Sequence, residues 1–295
     1  MNVLTITGDK NFKPGSERYD IQQSAVERFE AVYLGRGNMK PKLPSGPFDV
    51  VTVQDPFLRG LYAWRVARRL HARFNVQVHA DLDGQAWWRR LVARFVLRRA
   101  DTVRVVSQKI KTQVEYMGGR TVSVLPVFID MSRFSNVTRR EHEGKIILWI
   151  GRFEQEKDPL FSIEILAQVL QDVPDARLTM LGAGSLMRKI ADAAAHLPVT
   201  MPGWQDPGKY LETADVLLST SPAESFGASL VEALAAGVPV VSPDVGVAKE
   251  AGAIVVPRHK LAEAVVDVLT HGGRGELKLT LLDRVEWAAA WKKSL

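Results

Sequence analysis

The chain has 295 residues, of which 46% are hydrophobic and 24% are charged. That length suits two α/β domains of roughly 100–200 residues each, and the composition is that of a globular protein. Because the sequence contains no cysteine, it excludes disulfides, thiolate metal sites and a cysteine nucleophile. It shows neither a secretion signal nor a run of about 20 apolar residues that could span a membrane, so we expect a cytoplasmic protein.

The net charge of +6 is unevenly distributed along the chain. Residues 1–143 hold 24 Lys and Arg against 14 Asp and Glu, whereas residues 144–295 hold 15 against 19. The positive excess of the first half favours an anionic partner, such as a nucleic acid, an acidic polysaccharide or a phospholipid surface. The alternative is that arginine only solvates helix faces, which is the common use of charge runs.

Short β-branched runs alternate with helical patterns in the first half of the chain. Strands are predicted at Val3–Thr7, Ala31–Leu34, Val50–Val53, Asn75–His79, Thr102–Val106 and Val122–Leu125. Helices are predicted at Tyr19–Arg28, Pro56–Ala72, Gln85–Arg99 and Gln108–Tyr116. This alternation is typical of parallel sheets whose two faces are covered by helices.

The second half repeats the alternation. Its predicted strands are Ile146–Ile150, Arg177–Leu181, Val199–Met201, Val216–Thr220, Val238–Ser242 and Ala253–Val255. Its predicted helices are Pro159–Leu170, Leu186–His196, Gly208–Ala214, Ala228–Ala236 and Leu261–Thr270. Because twelve strands are too many for one open sheet to carry easily, we predict an α/β protein with two doubly wound, Rossmann-like domains facing each other across a cleft.

The boundary between the domains is predicted in the polar segment 127–144, which lacks periodicity and ends in Gly144 before a new apolar strand. The N-terminal domain is therefore placed at 1–130 and the C-terminal domain at 131–284. Residues 285–295 are predicted to form a helix that returns to the N-terminal domain.

The segment AESFGASLVEALAAGVPVV, residues 223–241, carries the strongest functional signal. A helix begins near Gly227, and its free N–H groups form an anion site that the glycine lets a ligand approach closely. Glu224 precedes this site and Glu232 lies eight residues further on. Because a carboxylate repels phosphate, both side chains suit hydrogen bonds from sugar or ribose hydroxyls. The alternative is a glutamate that favours the helix start and a second one that is solvated.

Two further loops follow predicted strands of the second half. Arg152 and Lys157 can bind a diphosphate, one as a planar fork and the other as a point charge. The turn Gly182-x-Gly184 permits close approach of the backbone to a ligand, although a lone G-x-G pattern is weak evidence.

No Asp-x-Asp follows a strand near these loops, so no metal is predicted. The pattern does occur at Asp81-x-Asp83, in the first half, where it fits a polar turn.

These motifs resemble those of the family-four retaining glycosyltransferases, also called group one glycosyl transferases, which have two facing Rossmann-like domains, the GT-B fold. The matching segments of the second half are GRFEQEKD (151–158), LGAGSL (181–186), the run from GW to VV (203–241) and SPDVGVAKEAG (242–252). Within the third segment, Glu224 and Glu232 have the family's E-x7-E spacing. Those of the first half are GSERYD (15–20), DVVTVQDPFLRGL (49–61), VQVHADLDG (76–84) and RRADTVRVVSQKIK (98–111). The resemblance covers nearly the whole chain.

The resemblance implies a site for a nucleotide diphosphate sugar and assigns catalytic roles within it. Arg152 and Lys157 would bind the diphosphate and stabilise the leaving group. Glu224 would contact the donor sugar or the region next to the phosphates, and Glu232 the ribose hydroxyls. His79 would point at the reacting sugar. The further residues implied in donor binding are Gly15, Gly182, Gly184, Ser225, Phe226 and Gly227.

The resemblance thus predicts a retaining transfer of a sugar to an acceptor hydroxyl, with no cofactor beyond the donor. Metal independence also fits the residues, since Arg, Lys and helix N–H groups can stabilise the leaving diphosphate. A sugar-nucleotide epimerase or a glycan phosphorylase of the same fold stays open as an alternative. A non-enzymatic binder of anionic polymers is a poorer one, because it leaves the motifs unexplained; we therefore predict no nucleic-acid partner.

Two helices of the first half are rich in arginine, WWRRLVARFVLRR (87–99) and RVARRLHARF (65–74). Basic amphipathic helices with tryptophan can lie in an anionic lipid interface. A core helix with arginine on its outer face would have the same composition. Together with the charge distribution, this pattern suggests a glycan or lipid-linked acceptor reached by a protein bound peripherally to the inner face of a membrane.

Overall fold

The computed structural model describes residues 1–35, 37–38 and 41–295. Within this part of the chain, two compact units can be separated: Met1–Phe128 together with Leu282–Leu295, and Ile129–Leu281. Each unit holds one six-stranded sheet in which all paired strands are parallel. The predicted borders after residues 130 and 284 lie two and three residues from the observed ones.

The first unit has the strand order β2-β1-β3-β4-β5-β6. Its strands are β1 (Asn2–Thr7), β2 (Arg28–Tyr33), β3 (Val50–Val53), β4 (Arg73–Val78), β5 (Thr102–Val105) and β6 (Val122–Val124). Its helices are α1 (Glu17–Ser24), α2 (Leu58–Leu70), α3 (Trp87–Leu97), α4 (Gln108–Tyr116) and α11 (Arg284–Ser294). The central strands are apolar runs because helices cover both of their faces; every residue of β3 is buried.

The C-terminal helix α11 packs on this sheet. Trp291 is fully buried and meets the edge of Phe29 with 5.9 Å between ring centroids. Trp287 donates its indole N–H to the Pro126 carbonyl at 2.8 Å. A capping box between Asp283 and Glu286 starts the helix, since each side chain accepts from the other residue's backbone N–H.

The second unit has the strand order β12-β11-β10-β7-β8-β9. Its strands are β7 (Lys145–Ile150), β8 (Ala176–Leu181), β9 (Val199–Gly203), β10 (Val216–Leu218), β11 (Val240–Ser242) and β12 (Ile254–Val255). Its helices are α5 (Pro159–Val169), α6 (Met187–Ala193), α7 (Pro207–Leu211), α8 (Ala228–Ala235), α9 (Ala248–Ala251) and α10 (Leu261–His271). Apolar side chains of α5 and α10 pack against those of β7 and β8 and form a core on one face of the sheet.

The predicted helix Tyr19–Arg28 differs most from the structure. The helix ends at Ser24, and Arg28–Tyr33 forms β2, which pairs residue by residue with β1 from Asn2 to Thr7. Local pattern favoured a longer helix, but the parallel ladder satisfies the backbone groups of residues 28–33 and buries Phe29. The short helix α9 was not predicted.

Candidate active site

The predicted donor residues gather at the carboxyl edge of the second sheet. β7 lies between β10 and β8, so the strand order reverses there, and such a switch point is where doubly wound sheets bind ligands. Lys157 follows β7 and Glu224 follows β10. Their side chains form an ion pair, with only 22% and 14% of their surfaces exposed.

The loop that carries Lys157 is fixed by two side chains from distant parts of the unit. The Thr220 hydroxyl donates to the Asp158 carbonyl at 2.8 Å and accepts from the Trp149 indole at 2.9 Å. Arg258 donates to the Thr220 carbonyl and pairs with the Asp158 carboxylate. Asp158 has a φ of 46°, a conformation that non-glycine residues rarely adopt and that surrounding contacts must maintain. These contacts fix the backbone directly after Lys157 and so restrict the position of Lys157 itself.

The loop after β7 is joined to the loop after β8. Phe153 N–H donates to the Ala183 carbonyl at 2.9 Å. Glu154 accepts from the Ser185 N–H at 2.8 Å and from its hydroxyl at 2.5 Å; these bonds hold the pKa of the Glu154 carboxyl below its usual range. A Cβ on Gly182 would lie 1.9 Å from the Gly151 carbonyl oxygen. Glycine is therefore required for this close approach of two backbones.

The loop that carries Glu224 leads directly into α8. Gly227 is the N-cap residue, with a φ of 94°, and the half-buried Ser225 and the buried Phe226 precede it. The Phe226 carbonyl accepts from the Val247 N–H at 2.9 Å. The segment after β11 thereby holds this loop against the sheet.

Of the remaining predicted donor residues of this unit, Gly184 packs on the loop after β7: a Cβ there would lie 2.4 Å from the Phe153 carbonyl oxygen. Arg152 lies on the loop of Lys157 but is 63% exposed, and its guanidinium pairs with Glu156 at 2.7 Å. The structure thus brings Lys157 and Glu224 into contact and leaves Arg152 on the outer side of the loop.

Glu232 lies on α8, away from Lys157, in a different electrostatic environment. Burial raises the pKa of its carboxyl to about 6; the positive charge of Arg133 opposes this rise and the negative charge of Asp206 adds to it. Arg133 and Asp206 pair with each other at 2.9 Å. The three charges form a second polar group on this unit, distinct from the Lys157–Glu224 pair.

His79 and Gly15 belong to the first unit. His79 directly follows β4, and its Nε2 atom is inaccessible and lacks a hydrogen-bond partner among the residues that the structure describes. Burial, assisted by the charges of Arg104 and Arg18, lowers its pKa to about 3, so the imidazole is neutral at physiological pH. Gly15 has a φ of 86°, and a Cβ there would meet no atom within 4 Å. The backbone conformation, not crowding, favours glycine at this turn.

Arg104 is the buried cation of the first unit that sequence reasoning missed. It lies within β5 and donates to Gln77 at 2.8 Å and to the carbonyls of Leu125 and Pro126 at 3.1 and 2.8 Å. Burial lowers its pKa to about 9. Thr220 and Arg258 were missed as well. No local signal marks these three residues, because their partners lie far away in sequence.

Two hollows lie away from these residues. One of about 560 Å³ adjoins the C-terminal part of α8 in the second unit, between Leu234, Ser135 and Arg274. Another of about 380 Å³ lies in the first unit at the carboxyl ends of β2 and β3, between Asp55, Tyr62 and Trp88. The strand order of the first sheet reverses at β1, beside β3, so this second hollow also lies at a switch point.

Two negative findings apply to the described part of the chain. Residues 1–35, 37–38 and 41–295 contain no group of three or more His, Asp or Glu side chains arranged to hold a metal ion. None of the helices formed by these residues has the length and apolar character needed to cross a membrane.

Two family models match the chain. The model described as "Glycosyl transferases group 1" matches residues 144–271, which contain the Lys157–Glu224 pair. The model described as "Glycosyl transferase 4-like domain" matches residues 25–127. The two matches follow the division into units.

Two curated relatives come from Mycobacterium tuberculosis. The GDP-mannose-dependent alpha-(1-6)-phosphatidylinositol dimannoside mannosyltransferase is 30% identical over 217 residues, which cover 65% of this chain and 56% of that protein. The phosphatidyl-myo-inositol mannosyltransferase is 33% identical over 142 residues, which cover 45% of this chain and 37% of that protein. The matches thus span about half of these relatives' length or less.

Solved structures resemble the whole chain. Anabaena HepE was determined in complex with UDP and glucose, and it has a TM-score of 0.75 at 14% identity to this chain. The alignment covers 100% of this chain and 95% of the HepE chain. Sucrose-phosphate synthase from Thermosynechococcus elongatus has a TM-score of 0.71 at 16% identity, with coverages of 100% and 93%. At these identities the likeness shows the fold alone.

Proposed function

Because the chain belongs to the group 1 glycosyl transferases and has the GT-B type of fold, we propose that it transfers a sugar from a nucleotide diphosphate sugar to an acceptor hydroxyl. The transfer proceeds with retention of configuration and without a metal ion. No cofactor other than the donor takes part.

The Lys157–Glu224 ion pair carries this proposal. It places a cation and a carboxylate side by side at the switch point of the second sheet. A donor offers both partners that such a pair can take: diphosphate oxygens for the ammonium, and sugar hydroxyls for the carboxylate. When the sugar–phosphate bond breaks, negative charge develops on the diphosphate, and a fixed cation stabilises that charge more than it stabilises the bound donor.

The other residues have supporting roles in the proposal. The N–H groups at the start of α8, beside Ser225, Phe226 and Gly227, assist Lys157 in binding the diphosphate. Glu232 accepts hydrogen bonds from the ribose hydroxyls. Arg152 exchanges its exposed partner Glu156 for a diphosphate oxygen.

His79 acts as a hydrogen-bonding group rather than as a base. Its low pKa of about 3 makes the imidazole a poor proton acceptor at neutral pH. Its Nε2, for which the described residues provide no hydrogen-bond partner, is the kind of buried atom that is explained by a ligand group, here a hydroxyl of the reacting sugar. Gly15 allows the first loop to approach the phosphates.

The acceptor is a glycan or a lipid-linked molecule that binds in the hollow of about 380 Å³ in the first unit. Aromatic side chains, among them Phe57, Tyr62 and Trp88, line this hollow together with the charged residues Asp55, Arg59 and Arg89. That mixture suits the apolar and polar faces of a sugar ring or a polar headgroup. The two relatives are named for phosphatidylinositol acceptors, which supports a lipid-linked acceptor. A cytoplasmic protein attached peripherally to the inner face of a membrane fits such an acceptor.

The test begins with thermal-shift screening against UDP-, GDP-, ADP- and CMP-sugars, since a donor that binds only the folded state raises the melting temperature. Sugar transfer from the donor that this screen identifies is then followed by mass spectrometry. We expect Lys157→Ala and Glu224→Ala each to reduce turnover at least ~100-fold. Glu164→Gln, which removes an exposed negative charge from α5 of the same unit, is the matched control.

Near-normal turnover in folded Lys157→Ala or Glu224→Ala would disprove the site. Inverted free sugar, or sugar phosphate formed without an acceptor, would indicate an epimerase or a phosphorylase instead of a transferase.

A further inference from the structure

Helix α3 exposes its three aromatic side chains and one of its two leucines to solvent. Ala93, Val96 and Leu97 face the interior, whereas Trp87 is 74% exposed and Leu91 is 59% exposed. Trp88 and Phe95 are 45% and 37% exposed. A helix that only covers a sheet would do the opposite, because burying the larger side chains removes more apolar surface from water.

The same surface is strongly basic. The sequence has no Asp or Glu between Asp83 and Asp101. Arg90 and Arg94 are exposed beside Trp87 and Leu91, and Arg98 and Arg99 follow the helix on the exposed side. Arg90 lies 3.8 Å from Asp83, whose side chain is 63% exposed, so solvent screens that pair strongly. The exposed face of α3 therefore presents positive charge together with apolar rings.

A hollow of about 290 Å³ lies where this face meets the end of α4. It is lined by Trp87, Arg90, Leu91 and Arg94 of α3 and by Tyr116 and Met117. Two guanidinium groups beside an apolar wall match the two parts of a phospholipid, a phosphodiester and the start of an acyl chain. Tyr116 is 80% exposed and is amphipathic, as residues at a membrane interface commonly are.

We propose that α3 is a membrane-docking helix that lies in the interface of an anionic phospholipid bilayer. Trp87, Leu91 and Tyr116 enter the boundary between headgroups and acyl chains, and Arg90 and Arg94 bind a lipid phosphate in the hollow. The partner is a bilayer rather than a soluble polyanion because a soluble polyanion would leave Trp87 and Leu91, which are 74% and 59% exposed, in water. This inference concerns binding alone and does not depend on the proposed transfer.

The test measures co-sedimentation of the full chain with vesicles of phosphatidylcholine and phosphatidylglycerol (70:30) and with pure phosphatidylcholine. We expect binding to the anionic vesicles only, with a blue shift of tryptophan fluorescence. The binding weakens strongly between 50 and 500 mM NaCl, as attraction of exposed charges does when the Debye length shortens. Arg90→Gln with Arg94→Gln should weaken binding about 30-fold, from about 1 kcal/mol for each arginine.

Apolar insertion is tested by Trp87→Ser with Leu91→Ser. This variant should lose the blue shift and bind at least ~10-fold more weakly, since both side chains lose their burial in the interface. Arg188→Gln with Lys189→Gln removes two exposed charges from α6 of the second unit, and Val285→Ser removes an exposed apolar side chain from α11. Both controls should bind like the original chain.

Negligible and equal sedimentation with both vesicle types at 50 mM NaCl would overturn the proposal. Binding that survives Trp87→Ser with Leu91→Ser but is lost with the arginine pair would overturn it as well, because it would show a surface for polyanions only. Nucleotide affinity, measured in parallel, should be the same in all variants, so that failure of docking is distinguished from failure of the donor site.

Discussion

Replacing Glu224 by glutamine should affect nucleoside diphosphate binding and turnover in opposite directions. In the free protein the Glu224 carboxylate occupies Lys157, which the diphosphate must also reach. A nucleoside diphosphate lacks the transferred sugar whose hydroxyls Glu224 would bind, so the carboxylate only competes for the ammonium and repels the phosphates. Glutamine has the same shape and removes both effects.

The magnitude follows from the burial of the pair. Two unit charges at about 4 Å interact by roughly 4 kcal/mol at an effective dielectric constant of 20, which is an upper bound for a partly buried pair. After allowing for the water that solvates a released Lys157, we expect a gain of about 1–2 kcal/mol. That gain makes nucleoside diphosphate binding about 5–30-fold tighter. Turnover should nevertheless fall at least ~100-fold, because the sugar loses its acceptor carboxylate.

Isothermal titration calorimetry with the free nucleoside diphosphate measures the first effect, and the transfer assay measures the second. Glu164→Gln serves as the control, because it removes an exposed negative charge from α5 of the same unit, and this residue has no role in the proposed donor site. In Lys157→Met the further change Glu224→Gln should relieve only the repulsion of the phosphates. Unchanged or weaker binding of the nucleoside diphosphate to Glu224→Gln would refute the competition between carboxylate and diphosphate.

Three further outcomes follow from the structure. Glu232→Gln should raise the melting temperature at pH 7.5 but not at pH 4. The pKa of the Glu232 carboxyl is about 6 in the folded protein, which is higher than in the unfolded chain. The ionised carboxylate therefore lowers the free energy of unfolding by up to about 2 kcal/mol above pH 6, and it has no effect below the unfolded pKa. An unchanged difference between the two pH values would contradict this. Gly182→Ala should destabilise the second unit by at least ~2 kcal/mol in urea titrations, because its Cβ would meet the Gly151 carbonyl. Gly15→Ala should destabilise the first unit by only about 1 kcal/mol, from backbone strain alone. Equal losses of stability in the two variants would show that crowding is not the cause. Transfer should persist in excess chelator, and rescue by Mg²⁺ or Mn²⁺ after loss would show that a metal is required.

Local signals in the sequence determined most elements and the order of the donor motifs. β3 (Val50–Val53) and α4 (Gln108–Tyr116) have the predicted bounds. β3 is a short β-branched run buried on both faces, and α4 is capped by Ser107, whose hydroxyl accepts from the Ile110 N–H. Such signals act within a few residues, so a single sequence suffices to predict them.

The contacts that make the site were decided by the tertiary structure. Lys157 and Glu224 are 67 positions apart, and Arg258 reaches Asp158 across 100 positions. The sequence placed both members of the first pair in loops that follow strands, but their contact depends on β7 and β10 being neighbours. The pattern of alternating strands and helices does not specify strand order, so the ion pair was not predicted.

Helix α3 shows the same division between sequence and structure. The sequence predicted a helix here, at Gln85–Arg99 rather than the observed Trp87–Leu97, and its mixture of arginines and apolar residues fits both a core helix and an interfacial one. Only the fold decided that Ala93, Val96 and Leu97 are buried while Trp87 and Leu91 face solvent. The physical reason is that periodicity identifies the faces of a helix, whereas the neighbouring elements, here α2 and α4, determine which face is covered.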